Sequence, residues 1–237
     1  MKGIIVGAGE VGHCLFDSMK HIHSLRFHDP VKGYVVDSFS FRDEVLLIAI
    51  PWSSNFVKDV KKLQERFLPI VTIVFSTVPV GTCRKLGAVH SPIEALHSNN
   101  MASYMFHWPR WMAPQDETAV WFFQEVGFQV KVLEDSRQTE YLKLRSTAAY
   151  GLAIEFARQS RKAAKMIGMD YDRIMEYDSD YNALNRAMGV PEYQRYILHA
   201  PLGNIGGHCI IPNAILLHKW WPSWITEIIL KMNGVMK

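Results

Sequence analysis

Gly3-Ile4-Ile5-Val6-Gly7-Ala8-Gly9-Glu10-Val11-Gly12 opens the chain, and its reading decides the fold. A short apolar run feeds directly into Gly-x-Gly-x-x-Gly, and helical spacing follows over Val11–Ile22. Strand, glycine turn and helix in that order form the context in which this pattern binds a dinucleotide. The first glycine makes the tight turn, the second lets backbone approach a pyrophosphate, and the third lets the helix pack closely on the strand. The helix N-terminus then faces the anion. Gly7, Gly9 and Gly12, with Glu10 and Val11 between them, are therefore candidate cofactor-binding residues. A glycine-rich turn without a ligand is the plainer alternative.

Downstream, short apolar runs alternate with helical stretches. Ser24–Phe27 reads as a second strand, and Glu44–Ile50, closed by Pro51, reads as a buried parallel strand. Phe56–Phe67 has helical spacing, Ile70–Phe75 is strand-like, and Ala88–His90 and Gln129–Leu133 are further strands around a helix over Ala119–Val126. This alternation predicts an α/β fold, an N-terminal Rossmann doubly wound parallel sheet over residues 1–137 with right-handed crossovers. From about Ser136 the strands stop. Thr139–Met166 lacks proline and predicts one long helix ended by Gly168, and Tyr171–Met188 a further helical region. A loop runs through Pro191, Pro201, Gly203, Gly206 and Gly207, and Pro212–Met232 is again helical with a break near Pro222. Residues 138–237 are thus expected to form a mainly α-helical domain.

The 237 residues are 49% hydrophobic and 21% charged, ordinary for a globular protein, and the net charge is only +3. That charge predicts neither a nucleic-acid footprint nor a polybasic membrane arm. Three scattered cysteines, Cys14, Cys83 and Cys209, make no disulfide framework and suggest a reducing compartment. No signal peptide or spanning segment is evident, so a cytoplasmic location is expected. The histidines and cysteines show no metal-ligand spacing.

An acidic residue is expected after the second strand, where it accepts hydrogen bonds from the adenosine ribose, and Asp29 fits that place. Asp29 before Pro30 also suits an ordinary turn. Arg26 is of the type that greets a 2′-phosphate but lies within the strand, which favours NAD over NADP.

Three further motifs, taken with the glycine turn, resemble the nucleotide-sugar dehydrogenase family, the UDP-glucose and GDP-mannose dehydrogenases. They are Ser76-Thr77-Val78-Pro79-Val80-Gly81-Thr82, Glu140-Tyr141-Leu142-Lys143-Leu144, and Gly206-Gly207-His208-Cys209-Ile210-Ile211-Pro212. The resemblance implies oxidation of a sugar primary alcohol to a carboxylate by two NAD-dependent hydride transfers. It implies Cys209 as the nucleophile that traps the aldehyde as a thiohemiacetal, and Lys143 as the charge that stabilises the oxyanion. Thr77 would hold a water or the ring end of the cofactor, with Pro51 and Ser76 also lining the cofactor. A thiolate near a cation is activated by a lowered pKa, and lysine is a suitable point charge for an alkoxide. The resemblance also implies a homodimer through the long helix. A buried apolar Cys209 and a solvated Lys143 are the duller readings of the same residues.

The chain departs from that pattern in places. Asn213 stands where the family has an aspartate; asparagine orients a water but accepts no proton at neutral pH. Thr147 replaces an asparagine. The family's Ser-Pro-Glu loop reads Ser91-Pro92-Ile93-Glu94, so the carboxylate of Glu94 is displaced by one position and serves either catalysis or the surface. Full-size members continue into a nucleotide-binding C-terminal domain, so a truncated form is expected here, with a smaller substrate, a completing partner chain or a single oxidation. The leading expectation is an NAD-dependent enzyme acting on a sugar or sugar nucleotide. The alternatives are a one-step hydroxyacid-type dehydrogenase with Lys143 as acid and base, and a cofactor-binding protein without turnover. Trp108, Trp111 and Trp121, then Trp220, Trp221 and Trp224, are expected in the core, the last three alternatively in a subunit interface.

Overall fold

A computed structural model describes residues 1–37, 44–94 and 101–236. The described residues divide into two compact units, Met1–Lys143 and Leu144–Lys237.

The first unit is the expected doubly wound α/β fold. It runs β1 (Lys2–Val6), α1 (Glu10–Met19), β2 (Ser24–His28), β3 (Glu44–Ile48), α2 (Phe56–Phe67), β4 (Val71–Val74), α3 (Thr82–Leu86) and β5 (Val89–His90). Then come α4 (Met101–Phe106), β6 (Arg110–Met112), α5 (Glu117–Glu125), β7 (Val130–Val132) and the start of α6 (Ser136–Met166). Five parallel strands stand in the order β2-β1-β3-β4-β5. The order reverses between β1 and β3, and at such a switch point a crevice opens beyond the carboxyl ends of the strands.

Why the strands read as continuous apolar runs is clear from their two faces. Side chains alternate across a strand. Ile5, Val45, Leu47 and Ile73 pack on one face with Leu15 and Met19 of α1 and Phe122 and Phe123 of α5. Ile4, Val6, Leu46, Ile48 and Val74 pack on the other with Phe56, Val60 and Phe67 of α2. Burying each such aliphatic side chain contributes about 1.5–3 kcal/mol, so a polar residue on either face would be costly.

β6 and β7 form a separate two-stranded parallel sheet, joined to β5 by a bridge between His90 and Ala113. Arg110 in β6 is fully buried, and among the described residues its guanidinium has no hydrogen-bond partner. Burial lowers its pKa to about 10.

The second unit holds the rest of α6, then α7 (Tyr171–Ala187), α8 (Ile210–Trp220) and α9 (Trp224–Met232). Asp170 starts α7 by accepting the Asp172 N–H, and Ser223 with Thr226 forms a capping box on α9. Gly151 lets α8 and α9 approach α6: a Cβ there would lie 2.7 Å from Ile210 and 3.3 Å from Ile229. The tryptophans depart from the core expectation. Trp108, Trp121, Trp220, Trp221 and Trp224 are all exposed, and Trp111 is half-buried beneath the Lys131 ammonium. Rings at the margins of short elements have one face to pack and leave the other to solvent. Among the described residues no helix is long and apolar enough to cross a membrane.

Candidate functional site

Sheet register brings the strand ends into one row. His28, Val6, Ile48, Val74 and His90 are successive parallel partners across the five strands. Gly7, Asp29, Pro51, Ser76 and Thr77 all follow within three residues of that row, on its carboxyl side.

Each glycine of the opening turn has its own steric reason. Gly7 sits at φ +101, and a Cβ on it would lie 2.6 Å from the Ala49 carbonyl oxygen. A Cβ on Gly12 would fall 1.9 Å from the Gly7 carbonyl oxygen. Above Gly9, the residue that caps α1, there is open space. The first and third glycines therefore let strand and helix close, while the second leaves a backbone cradle that a side chain would fill. Glu10 is exposed in the first turn of α1, where a carboxylate suits the helix dipole, and Val11 packs on the core. Asp29 reaches back to the turn and accepts the Ala8 N–H at 2.9 Å. Lys32 donates to the Ala8 carbonyl at 2.6 Å. Lys32 has no spacing signal in the sequence, because a short 3-10 turn after Asp29 brings it there. Arg26 is held by Glu44, with nitrogen–oxygen distances of 2.8 and 3.1 Å. Ser76 donates to the Ile50 carbonyl at 2.6 Å, tying the end of β4 to the end of β3, and Thr77 beside it is half-buried. Pro51 is exposed.

The Glu-x-x-Lys element at the start of α6 fastens this edge. The Glu140 carboxylate accepts the N–H groups of Gly81 and Cys83, capping α3. Burial raises its pKa, opposed by those same two bonds. Cys83 beneath it is an inert thiol, pushed well up by burial and by the Glu140 charge. Lys143 donates to the Ile93 carbonyl at 2.7 Å and faces the Glu94 carboxylate at 3.3 Å. The displaced Glu94 thus lands beside Lys143.

His90, at the end of β5, is fully buried between Ser76 and Thr139 and also lacks a sequence signal. Its Nε2 faces the Ser76 carbonyl at 3.3 Å and its Nδ1 the Thr139 hydroxyl at 2.9 Å. A carbonyl only accepts, so Nε2 carries the proton. Burial pushes its pKa down to about 3, helped by the Lys143 charge. It is a neutral strut, unsuited to act as a base near neutral pH.

In the second unit, Cys209 is half-buried at the N-cap of α8. Asn213, one turn along, is buried and donates from Nδ2 to the Thr147 hydroxyl at 3.2 Å. The two substitutions relative to the resembled pattern therefore touch each other. The preceding loop is anchored by Asn233, which accepts the Ile205 N–H at 2.6 Å and donates to Glu155 at 2.6 Å. Among the described residues no group of three or more His, Cys, Asp or Glu is placed to hold a metal ion.

A doubly wound sheet with a dinucleotide-type glycine turn, followed by a helical unit, is the architecture of a broad set of dehydrogenases, and the comparisons fall there. A solved UDP-glucose dehydrogenase from the hyperthermophilic archaeon Pyrobaculum islandicum is similar over 98% of this chain and 68% of its own, with 17% identity and TM-score 0.74. A UDP-D-ManNAc dehydrogenase from Pyrococcus horikoshii matches over 99% and 68%, with 14% identity and TM-score 0.70. A 3-hydroxyisobutyrate dehydrogenase from Salmonella typhimurium matches over 99% and 93%, with 13% identity and TM-score 0.62. At such identities the likeness establishes the fold. No protein-family model matches the sequence, and no curated protein does.

Proposed function

We propose that this chain is an NAD-dependent dehydrogenase acting on the alcohol of a sugar-like small molecule, with Cys209 as the carbon-trapping nucleophile. The observation that carries the cofactor half is the glycine turn, where Gly7 and Gly12 are fixed by packing and Gly9 stands open beside Asp29. The backbone around Gly9 and the N-terminus of α1 would hold the pyrophosphate. The Asp29 carboxylate suits a free ribose 2′-hydroxyl and repels a phosphate, and Arg26 is already engaged by Glu44. Pro51, Ser76 and Thr77 would border the ring end, and a nicotinamide bound there supplies a two-electron hydride acceptor.

The chain's own residues divide the remaining work. Lys143, steadied by the Ile93 carbonyl and by Glu94, presents a positive charge to the developing alkoxide. The Cys209 sulfur adds to the aldehyde carbon to form a thiohemiacetal, which would lose a hydride to a second NAD to become a thioester, and water would release this as the carboxylic acid and the free thiol. Asn213, held by Thr147, orients a water but takes no proton, which leaves Glu94 as the carboxylate for the hydrolytic step.

A one-step hydroxyacid-type reaction, with Lys143 as acid and base, is the second reading. It is favoured by the absence of a carboxylate at Asn213 and by the 93% of the 3-hydroxyisobutyrate dehydrogenase's length that the match covers.

NADH formation on panels of sugar nucleotides and 3-hydroxyacids separates the readings. With a sugar nucleotide, Cys209→Ser is expected to stop acid formation, a loss of at least about a hundredfold, while leaving NAD binding intact. Lys143→Ala should lower turnover under either reading. Turnover of a hydroxyacid that Cys209→Ser leaves unchanged selects the one-step enzyme. NAD binding without turnover on any substrate leaves a cofactor-binding protein, and failure to bind NAD ends all three.

A further inference from the structure

α6 carries four cations on one face near its end. Arg158, Arg161, Lys162 and Lys165 are spaced i, i+3, i+4 and i+7, so they stack side by side along a single stripe. Like charges three and four apart on a helix repel and weaken it. The dipole at the helix C-terminus rewards a cation only within the last turn, which accounts for Lys165 but not for the other three.

The stripe lines a cavity of about 650 Å³ built within the second unit by the end of α6, the turn into α7 and the segment around Pro201. That volume suits a metabolite-sized ligand. Two of the cations are fixed in place. Arg158 is buried and bonded to Glu155 at 2.6 Å, and Glu155 is itself held by Asn233. Arg161 donates to the Ala200 carbonyl and lies 5.2 Å over the Tyr171 ring, whose hydroxyl donates to the Leu198 carbonyl at 3.0 Å. Behind them Ala157, Tyr171 and Ala200 pack as a small core. Lys162 and Lys165 make no ion pair among the described residues, and the one carboxylate in the lining, Asp170, is occupied as the cap of α7.

We infer that this cavity is a second ligand site, for a phosphorylated small molecule. Arg158 and Arg161 form its rigid wall, and Lys162 and Lys165 supply the charge that closes on the phosphate. The inference stands apart from the dinucleotide reading, since every residue it uses lies in the second unit.

The glycine turn would also attract a pyrophosphate, so the test first disables it. Gly9→Asp brings a carboxylate to the cradle at a position whose Cβ meets nothing within 4 Å. Isothermal titration of that full-length variant with inorganic pyrophosphate, and in parallel with ADP, is expected to show one site whose affinity falls as salt rises. Adding Lys162→Gln and Lys165→Gln should weaken binding by at least about tenfold. Adding instead Lys61→Gln and Lys62→Gln, exposed residues of α2, removes the same charge and should change it by less than about twofold. ADP binding more tightly than pyrophosphate identifies an ester-bearing ligand, and equal affinity a site for the phosphate groups alone. In the unsubstituted chain, pyrophosphate should protect Lys162 and Lys165 from acetylation, read by mass spectrometry. No binding by folded Gly9→Asp protein, equal weakening by both lysine pairs, or unprotected Lys162 and Lys165 would each overturn the site.

Discussion

The opening turn and the cysteine loop are both rich in glycine, and they are rich in it for different reasons. Gly7 and Gly12 are pressed against carbonyl oxygens, so the chain's own packing requires them. Around Gly206 and Gly207 nothing lies within 4 Å of an added Cβ, and only Gly207, at φ +84, is asked for by its backbone. The first motif is thus a statement about the fold, and a sequence reader can trust it on steric grounds. In the second, Gly207 answers to its own backbone and Gly206 to no contact in the fold.

The largest effect should come from the first region. Gly12→Ala drives a methyl into the Gly7 carbonyl, which moves only if β1 and α1 separate. We expect a loss on the order of 3 kcal/mol or more, read as a lower urea midpoint with unchanged slope. A stable Gly12→Ala protein would mean that helix and strand are not in this register, and the contrast between the two motifs would vanish.

Acid should act on the first region too, with a somewhat smaller effect. Burial lowers the pKa of His23, His28 and His90, all in the α/β unit. Below the ordinary value of 6.5 the unfolded chain protonates position 90, while the folded chain, with its value near 3, does not. Stability is therefore lost as the pH falls from 6.5 towards 3, and His90 alone should account for about 2 kcal/mol of that loss at pH 5. His90→Gln keeps a donor and an acceptor but cannot titrate. Its stability should fall by about 2 kcal/mol less than that of the natural chain between pH 7.5 and 5. Equal losses in the two proteins would show that His90 is not the buried strut between Ser76 and Thr139.

These regions were unequally legible in the sequence. The long elements announced themselves by period: Phe56–Phe67 forms α2 over that same span, and the proline-free stretch from Thr139 forms α6, starting one turn earlier at Ser136. The short elements did not. Thr82–Leu86, Met101–Phe106 and Arg110–Met112 span too few residues to show a period, so α3, α4 and β6 emerged only in the structure. Within the candidate site, residues set by local chemistry were readable, as with the three glycines of the turn. Those set by tertiary contact were not, as with His90, Lys32 and the carboxylate of Glu140 clamping Gly81 and Cys83. Asn213 and Thr147 lay between these cases. Each was visible as a departure from a pattern, yet nothing in a linear chain shows that two departures form one hydrogen bond.

The smallest stability effect, and the sharpest use of the comparison, belongs to the cysteine loop. Gly207→Ala must place a Cβ in the left-handed region and should cost about 1 kcal/mol. Gly206→Ala meets neither strain nor contact, so it should leave stability within about 0.5 kcal/mol or raise it slightly, because alanine restricts the unfolded chain. If Gly206 is glycine so that a substrate can lie against the backbone before Cys209, the same variant should keep its melting temperature and its NAD affinity yet lose turnover. A melt and a rate measured on one preparation decide the matter. Turnover that survives Gly206→Ala would leave that glycine without a reason in either the fold or the chemistry, and would count against Cys209 as the residue at which substrate carbon is trapped.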